Sequence, residues 1–282
     1  MWFDTPHLRT LIELALAEDI GTGDHATLAT LSPDQRGIAM VTAKSPAVMC
    51  GLPVFAQVMR RVDPELEIAP LCVEGTRVAS GTEVALVRGR LQAILTAERT
   101  ALNFLQRMTG IATLTRAYVD AVTPYPTRIA DTRKTLPGFR ALDKYAVRMG
   151  GGVNHRTALD AGILIKENHT AAVGSVAEAV QRARTVGSHL LRVEVEVESL
   201  ADLEEALQAG AEVVMLDNMD LETLQDAVRF VAGRALLEAS GNMTLERVNA
   251  VAATGVDLIS VGALTHSVIA ADLSLRIAKL DA

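Results

Sequence analysis

Residues 192–262 read RVEVEVESLADLEEALQAGAEVVMLDNMDLETLQDAVRFVAGRALLEASGNMTLERVNAVAATGVDLISVG, and the fold is decided there. An apolar run closes on polar residues, an amphipathic stretch follows, a glycine ends it, and the next apolar run begins. RVEVEV leads to SLADLEEALQAG, EVVMLD to LETLQDAVRFVAG, ALLEASG to TLERVNAVAATG, and the series closes on DLISVG. Strands alternating with helices at this period predict a parallel sheet or barrel. Ser199, Asp220 and Thr244 stand where helix N-caps are needed, and Gly210, Gly233 and Gly255 stand where a left-handed residue ends each helix.

The polar residues at the strand ends are the informative part, because a strand covered on both faces has no structural use for them. They are Glu196, Asp217, Ser240 with Gly241, and Gly262, separated by 21, 23 and 22 residues, about one strand-helix unit each. They are therefore expected to ring one mouth at the carboxyl ends of the strands, where parallel α/β folds hold their ligands. Ser240-Gly241-Asn242 and Gly262-Ala263 are candidate phosphate turns, and Glu196 with Asp217 is a candidate pair for a divalent cation or ribose hydroxyls.

Upstream, residues 128–167 carry eight cations against four acids in a chain whose formal charge is −7. Cations gathered in a cleft repel by roughly 4 kcal/mol per pair about 4 Å apart at an effective dielectric of ~20, so an anionic ligand would relieve them. Arg140, Lys144 and Arg148, spaced four apart, are expected on a solvated helix face. Arg133 and Lys134 follow a strand-like RIA, His155 and Arg156 follow the Gly150-Gly151-Gly152 run, and Lys166 ends the apolar GILI, so these five are the candidate anion ligands. An isolated histidine is often only a core or surface residue; His155 is a candidate because it adjoins Arg156. Neither a P-loop nor a GxGxxG fingerprint occurs.

Toward the N-terminus the text changes. Leu8, Leu11, Ile12 and Ala15 predict a helix from Thr5 that ends near Asp19. Short β-like runs at 38–42, 67–71 and 84–87 among glycines predict an α+β domain on an antiparallel sheet. The stretch from Thr96 to Ala121 is helical in period, with Thr96 as its cap and Gly110 expected to split it at a domain boundary. The domains expected are 1–110 and 111–282, with a C-terminal helix packed back on the first.

The chain has 282 residues, 49% of them apolar and 3% aromatic, which suits an α/β protein with a substantial core and excludes fibrous, disordered and disulfide-scaffold classes. Its acidic balance disfavours nucleic acid and anionic membrane partners. Two cysteines, Cys50 and Cys72, make no framework and no metal pattern, so both are expected to be plain thiols. The opening residues have no positive leader with an apolar core, and no run of eighteen apolar residues occurs, so a cytoplasmic location is expected.

DTRKTLPGFRALDKYAVRMGGGVNHR, LIKENH, VEVEVESL, MLDN, EASGN and SVGALTHS, preceded by LAEDIGTGD, CGLP and TAERTALNFLQRMTGIAT, resemble the motif series of the quinolinate phosphoribosyltransferases in order and spacing. The resemblance implies an N-terminal α+β domain followed by an incomplete parallel α/β barrel of about seven strands. It also implies a homodimer, or a hexamer, whose subunits share active sites, and Mg²⁺ acting with phosphoribosyl pyrophosphate. Arg99 would reach into the partner's site. Thr132, Arg133, Lys134, His155, Arg156 and Lys166 would surround quinolinate and phosphate, with Lys134 and Lys166 also catalytic. Glu196 and Asp217 would serve ribose, metal and the oxocarbenium-like centre, and Ser240, Gly241, Asn242, Gly262, Ala263 and His266 would form the phosphate turns. Ala158 and Asn242 replace glycines common in the family, which touches backbone detail rather than charged ligands. Two other readings stay open: a paralogue of the molybdenum-uptake-associated type acting on another anionic base, and a non-catalytic module using the glycine-rich segment around 75–89.

Overall fold

Thr5 accepts a hydrogen bond from the Leu8 amide at 3.2 Å, Pro6 occupies a first-turn position that needs no N–H partner, and Leu8, Ile12 and Leu16 bury one stripe. These features make α1 (Pro6–Ile20), which runs slightly beyond the expected end to Gly21 at φ 53°. The computed structural model describes residues 5–280. They divide into two compact units, one of residues up to Thr113 together with those from Val268 onward, the other of Leu114–Ser267.

After α1 the first unit holds α2 (His25–Thr30), β1 (Arg36–Ala43), β2 (Ala47–Val48), α3 (Leu52–Val62), β3 (Glu67–Pro70), β4 (Arg77–Val78), β5 (Glu83–Arg90) and most of α4 (Leu91–Val122). The second holds β6 (Arg128–Ala130), α5 (Arg140–Met149), β7 (Ile163–Ile165), α6 (Glu167–Val173), α7 (Val176–Val186), β8 (Val193–Val197), α8 (Leu200–Gln208), β9 (Val213–Asp217), α9 (Leu221–Val231), β10 (Leu236–Ser240), α10 (Leu245–Ala252), β11 (Leu258–Ser260) and α11 (Ala263–His266). The last element, β12 (Leu273–Leu280), belongs to the first unit.

The first unit is built on an antiparallel sheet in the order β12-β1-β5-β3. Two expectations fail here. The C-terminal segment is a strand rather than a helix: in LSLRIAKL, Leu273, Leu275 and Ile277 alternate at period two and pair with Ala43, Val41 and Ala39 of β1. Nor does Gly110 split the long helix. α4 is continuous, and Gly110 lies where any Cβ would collide with the carbonyl of Ile269, so the glycine serves a close approach of backbone. The helix also begins five residues before Thr96, directly from β5, because Leu91 and Ile94 extend its buried stripe backward.

In the second unit six parallel strands lie in the order β6-β11-β10-β9-β8-β7. The seventh position is reduced to one parallel bridge between Val153 and Ala130. The caps act as their chemistry requires: Ser199, Asp220 and Thr244 accept from the amides of Asp202, Thr223 and Arg247 at 3.1, 2.8 and 3.3 Å. Gly210, Gly233 and Gly255 take φ of 84°, 77° and 94°. Period-two alternation sorts each strand. Val195, Leu216, Ala239 and Ile259 are completely buried on one face, while Glu196, Asp217 and Ser240 project from the other.

Candidate functional site

A cavity of about 900 Å³ opens at the carboxyl ends of these strands. Its wall contains every residue expected at the site except Arg99: Thr132, Arg133, Lys134, His155, Arg156, Lys166, Glu196, Asp217, Ser240, Gly241, Asn242, Gly262, Ala263 and His266. Arg99 is an exposed residue of α4 in the first unit and does not line this cavity.

The basic side of the cavity is organised by a buried carboxylate. Asp131, at the end of β6 and without solvent exposure, accepts from the Lys144 ammonium, from the Asn154 amide at 2.6 Å and from the His155 backbone N–H at 2.8 Å. This corrects the expectation for the 140–148 helix face. Arg140 and Arg148 are only partly exposed, and Lys144, 4% exposed, is not solvated. Arg140 bonds Thr135 and the Thr157 carbonyl, and the Arg148 guanidinium lies 5.8 Å from the Tyr145 ring. Burial raises the Asp131 carboxyl above its ordinary range despite Lys144, and lowers the Lys144 ammonium despite Asp131. Desolvation therefore outweighs the attraction, as it often does for a buried pair. What the pair secures is the loop that delivers His155 and Arg156.

Arg156 donates from Nη1 to the Gly162 carbonyl at 3.0 Å, and burial followed by the charge of Arg133 lowers its pKa. The Nε atoms of both Arg133 and Arg156 are buried without a hydrogen-bond partner. Two guanidinium groups, each with its Nε donor unused, at the wall of a cavity are prepared for an anion, because a carboxylate or phosphate would supply a missing acceptor. Lys166 closes this side, bonding Glu196 at 3.0 Å with its own side chain half exposed.

The acidic side follows from strand register. Asp217 lies beside Ser240 across the β9–β10 ladder. One oxygen of Glu196 is engaged by Lys166 and one of Asp217 by the Asn218 amide at 2.6 Å. Each carboxylate keeps a second oxygen, and two such oxygens with substrate phosphates suit Mg²⁺. Behind them the turns are tied together. Asn218 has φ 54°, its N–H bonds the Ser240 carbonyl, and Gly241, at φ 95°, leaves no room for a Cβ beside the Asn218 side chain. Arg247 donates to the carbonyls of Gly241 and Met219 at 3.2 and 2.8 Å, clamping the turns after β10 and β9. Gly262 packs against the rings and chains of His266 and Lys134, where a Cβ would be crowded.

Three residues escape a reading that stops at strand ends: Glu238 and Ser260, which line the cavity, and Glu194, which lies beside His155. Glu194, Glu238 and Ser260 stand two positions before Glu196, Ser240 and Gly262. The signal was the same alternation counted backward: VEVEV and LLEAS put both acids on the ligand face. His155 Nε2 lies 3.0 Å from Glu194 and 3.9 Å from Glu238.

Profiles described as "Quinolinate phosphoribosyl transferase, N-terminal domain" and "C-terminal domain" match residues 24–109 and 111–276. The chain belongs to the quinolinate phosphoribosyltransferase family. It is 45% identical over 267 residues to a probable nicotinate-nucleotide pyrophosphorylase [carboxylating] of Synechocystis sp., covering 94% of this chain and 90% of that protein. A Bacillus subtilis protein of the same name is 40% identical over 270 residues, covering 96% and 93%. Among solved structures, NadC from Streptococcus pyogenes superimposes with a TM-score of 0.94 at 41% identity, covering 98% of this chain and 99% of that one. The nicotinate-nucleotide pyrophosphorylase of Francisella tularensis does so with 0.93 at 40%, covering 100% and 99%. Fold and family thus agree along nearly the whole chain.

Proposed function

We propose that this chain transfers the phosphoribosyl group of phosphoribosyl pyrophosphate to the ring nitrogen of quinolinate, releasing pyrophosphate and carbon dioxide and forming nicotinate mononucleotide for NAD synthesis. The observation that carries the reading is one cavity wall that sets Arg133, Lys134, His155, Arg156 and Lys166 against Glu196 and Asp217. Quinolinate is a dianion and its co-substrate carries still more charge, so the two meet only where cations offset their repulsion.

In this reading Arg133, Arg156 and His155 hold the pyridine carboxylates, with Thr132 at the same wall. Lys134 and the turns Ser240-Gly241-Asn242 and Gly262-Ala263, with His266, receive phosphate groups. Glu196 and Asp217 would hold Mg²⁺, which would supply charge neutralisation for the departing pyrophosphate. The C1–O bond breaks, Glu196 and Asp217 stabilise the positive charge that develops on the ribose, and the ring nitrogen bonds to C1. Lys166 keeps Glu196 oriented and neutralises part of the substrate charge. The pyridinium so formed draws the electron pair of the adjacent C2–carboxylate bond, carbon dioxide leaves, and C2 takes a proton. Arg99 serves the site of a second subunit in a homodimer, and the enzyme works in the cytoplasm. Among the described residues no helix is long and apolar enough to cross a membrane.

Incubation of the purified protein with quinolinate, phosphoribosyl pyrophosphate and Mg²⁺ tests the reaction: carbon dioxide and a mononucleotide should appear together, and neither should form without the metal. Mixing Arg99→Ala with Lys166→Ala protein tests the shared site. Mixed dimers should regain activity that neither parent has; inactivity equal to the parents would show that Arg99 acts elsewhere.

A further inference from the structure

Beside His155 lie two carboxylates, Glu194 and Glu238, that the reaction as described does not use. Glu194, Glu238 and His155 present ligand-type atoms within 4.8 Å of one another. Glu238 is 2% exposed, and its Oε1 is buried with no hydrogen-bond partner. A metal ion is one occupant to consider. The hydrogen bonds exclude it: the Arg156 backbone N–H donates to His155 Nδ1 at 2.8 Å, so the ring proton sits on Nε2, facing Glu194 at 3.0 Å. A metal at Nε2 would have to displace that proton and leave the ring with a lone pair on both nitrogens.

A proton is the occupant that fits. With Glu194 accepting from His155, a second ionised carboxylate this close and this dry would be strongly opposed. Every group facing Glu238 bears on this. Glu194 on β8 and Asp131 at the end of β6 oppose its ionisation, while His155 and the Ser260 hydroxyl of β11 favour it. Burial, the largest influence, together with the charge of Glu194 pushes the Glu238 carboxyl up to about 7. On His155 burial lowers the imidazolium, but the bond to Glu194 and the charges of Glu238 and Glu194 outweigh it and leave it raised, Lys144 opposing. Because His155 Nδ1 accepts from the Arg156 N–H and Nε2 already carries the ring hydrogen, the extra proton rests on Glu238 and leaves the floor with the one charge of Glu194.

We propose that Glu238 is a specificity-determining residue of this enzyme: its buried carboxyl, holding or losing a proton, sets whether the floor of the cavity carries one negative charge or two, and so how tightly a dicarboxylate is held above it. The inference rests on the proposed use of quinolinate as substrate. Carboxyl groups ionise well below neutral pH, so quinolinate carries both charges throughout the range tested and a fall in its affinity there does not come from its own titration. Binding and proton uptake are reciprocal: a dianion above the floor favours the protonated form, and loss of that proton weakens the dianion.

The test is the KM for quinolinate from pH 6 to 9 at saturating phosphoribosyl pyrophosphate and Mg²⁺. For the wild type it should rise by about tenfold, the effect of one added unit charge several ångströms from the substrate. In Glu238→Gln, which carries no ionisable proton, the rise should vanish while kcat keeps its own pH profile. A residue that merely props up the fold would change kcat and melting temperature and leave the slope of KM alone. An unchanged slope in Glu238→Gln, or a flat wild-type profile, overturns the inference. Should the variant not fold, calorimetric titration of the wild type with quinolinate near pH 8, in buffers of different ionisation enthalpy, decides the question. Proton uptake supports the proposal and its absence refutes it. Wild-type protein that does not turn over quinolinate at any pH would refute instead the assignment of the reaction.

Discussion

Two lysine–carboxylate pairs sit within the same unit and have opposite fates. Lys144 and Asp131 are 4% and 0% exposed, whereas Lys166 and Glu196 are 51% and 11% exposed. In the first pair both side chains bond the loop that carries His155 and Arg156: Asp131 accepts from Asn154 and from the His155 N–H, and Lys144 donates to the His155 carbonyl. In the second, the lysine is half exposed and the carboxylate keeps one oxygen clear of the pair, as the proposed roles toward substrate and metal require. Identical chemistry thus builds scaffold where water is excluded and a binding surface where it is admitted. The difference lies in desolvation, which fixes a buried pair in one arrangement and leaves an exposed one exchangeable.

The contrast breaks most visibly in the buried pair. Lys144→Met should strand the Asp131 carboxylate and destabilise the protein by about 3–5 kcal/mol, read as a fall in the midpoint of denaturant unfolding; a loss under about 1 kcal/mol would mean water reaches Asp131. Adding Asp131→Asn should restore part of that stability, because the uncompensated charge is gone. Lys166→Ala should do the reverse: kcat/KM falls by about a hundredfold or more from lost charge stabilisation, while unfolding free energy stays within about 1 kcal/mol of wild type. A smaller effect sharpens the picture at the acidic side. Asn218→Gly keeps the left-handed backbone but frees Asp217, and kcat/KM should fall by about tenfold, as for one lost charge-assisted hydrogen bond, with the dependence on Mg²⁺ concentration shifted more than the KM for quinolinate. Asn218→Ala adds backbone strain and should lose stability as well.

The strands from residue 192 onward, their caps, and the convergence of Glu196, Asp217, Ser240 and Gly262 were legible because period and spacing are properties of a line of text, and a parallel sheet converts them directly into a shared mouth. The same alternation carried back two residues would have disclosed Glu194 and Glu238. Other readings failed for reasons a line of text does not contain. Lys144 matches a solvated face by its spacing with Arg140 and Arg148, yet Asp131 lies thirteen residues away and captures it. Gly110 looks like a helix breaker until the carbonyl of Ile269 is found against it. The C-terminal residues LSLRIAKL become a strand because β1, more than two hundred residues earlier in the chain, has an edge to pair with.

The order of residues by itself determined the two kinds of sheet, the family, and the cations and acids that meet at the strand ends, since each depends on local periodicity and on motifs of a few residues. Only the tertiary structure decided which charges are buried, which guanidinium donors are left without acceptors, and that His155 stands between two carboxylates. The reason is physical: the free energy of a charge depends on its distance from water and from other charges, and neither distance exists until the chain has folded.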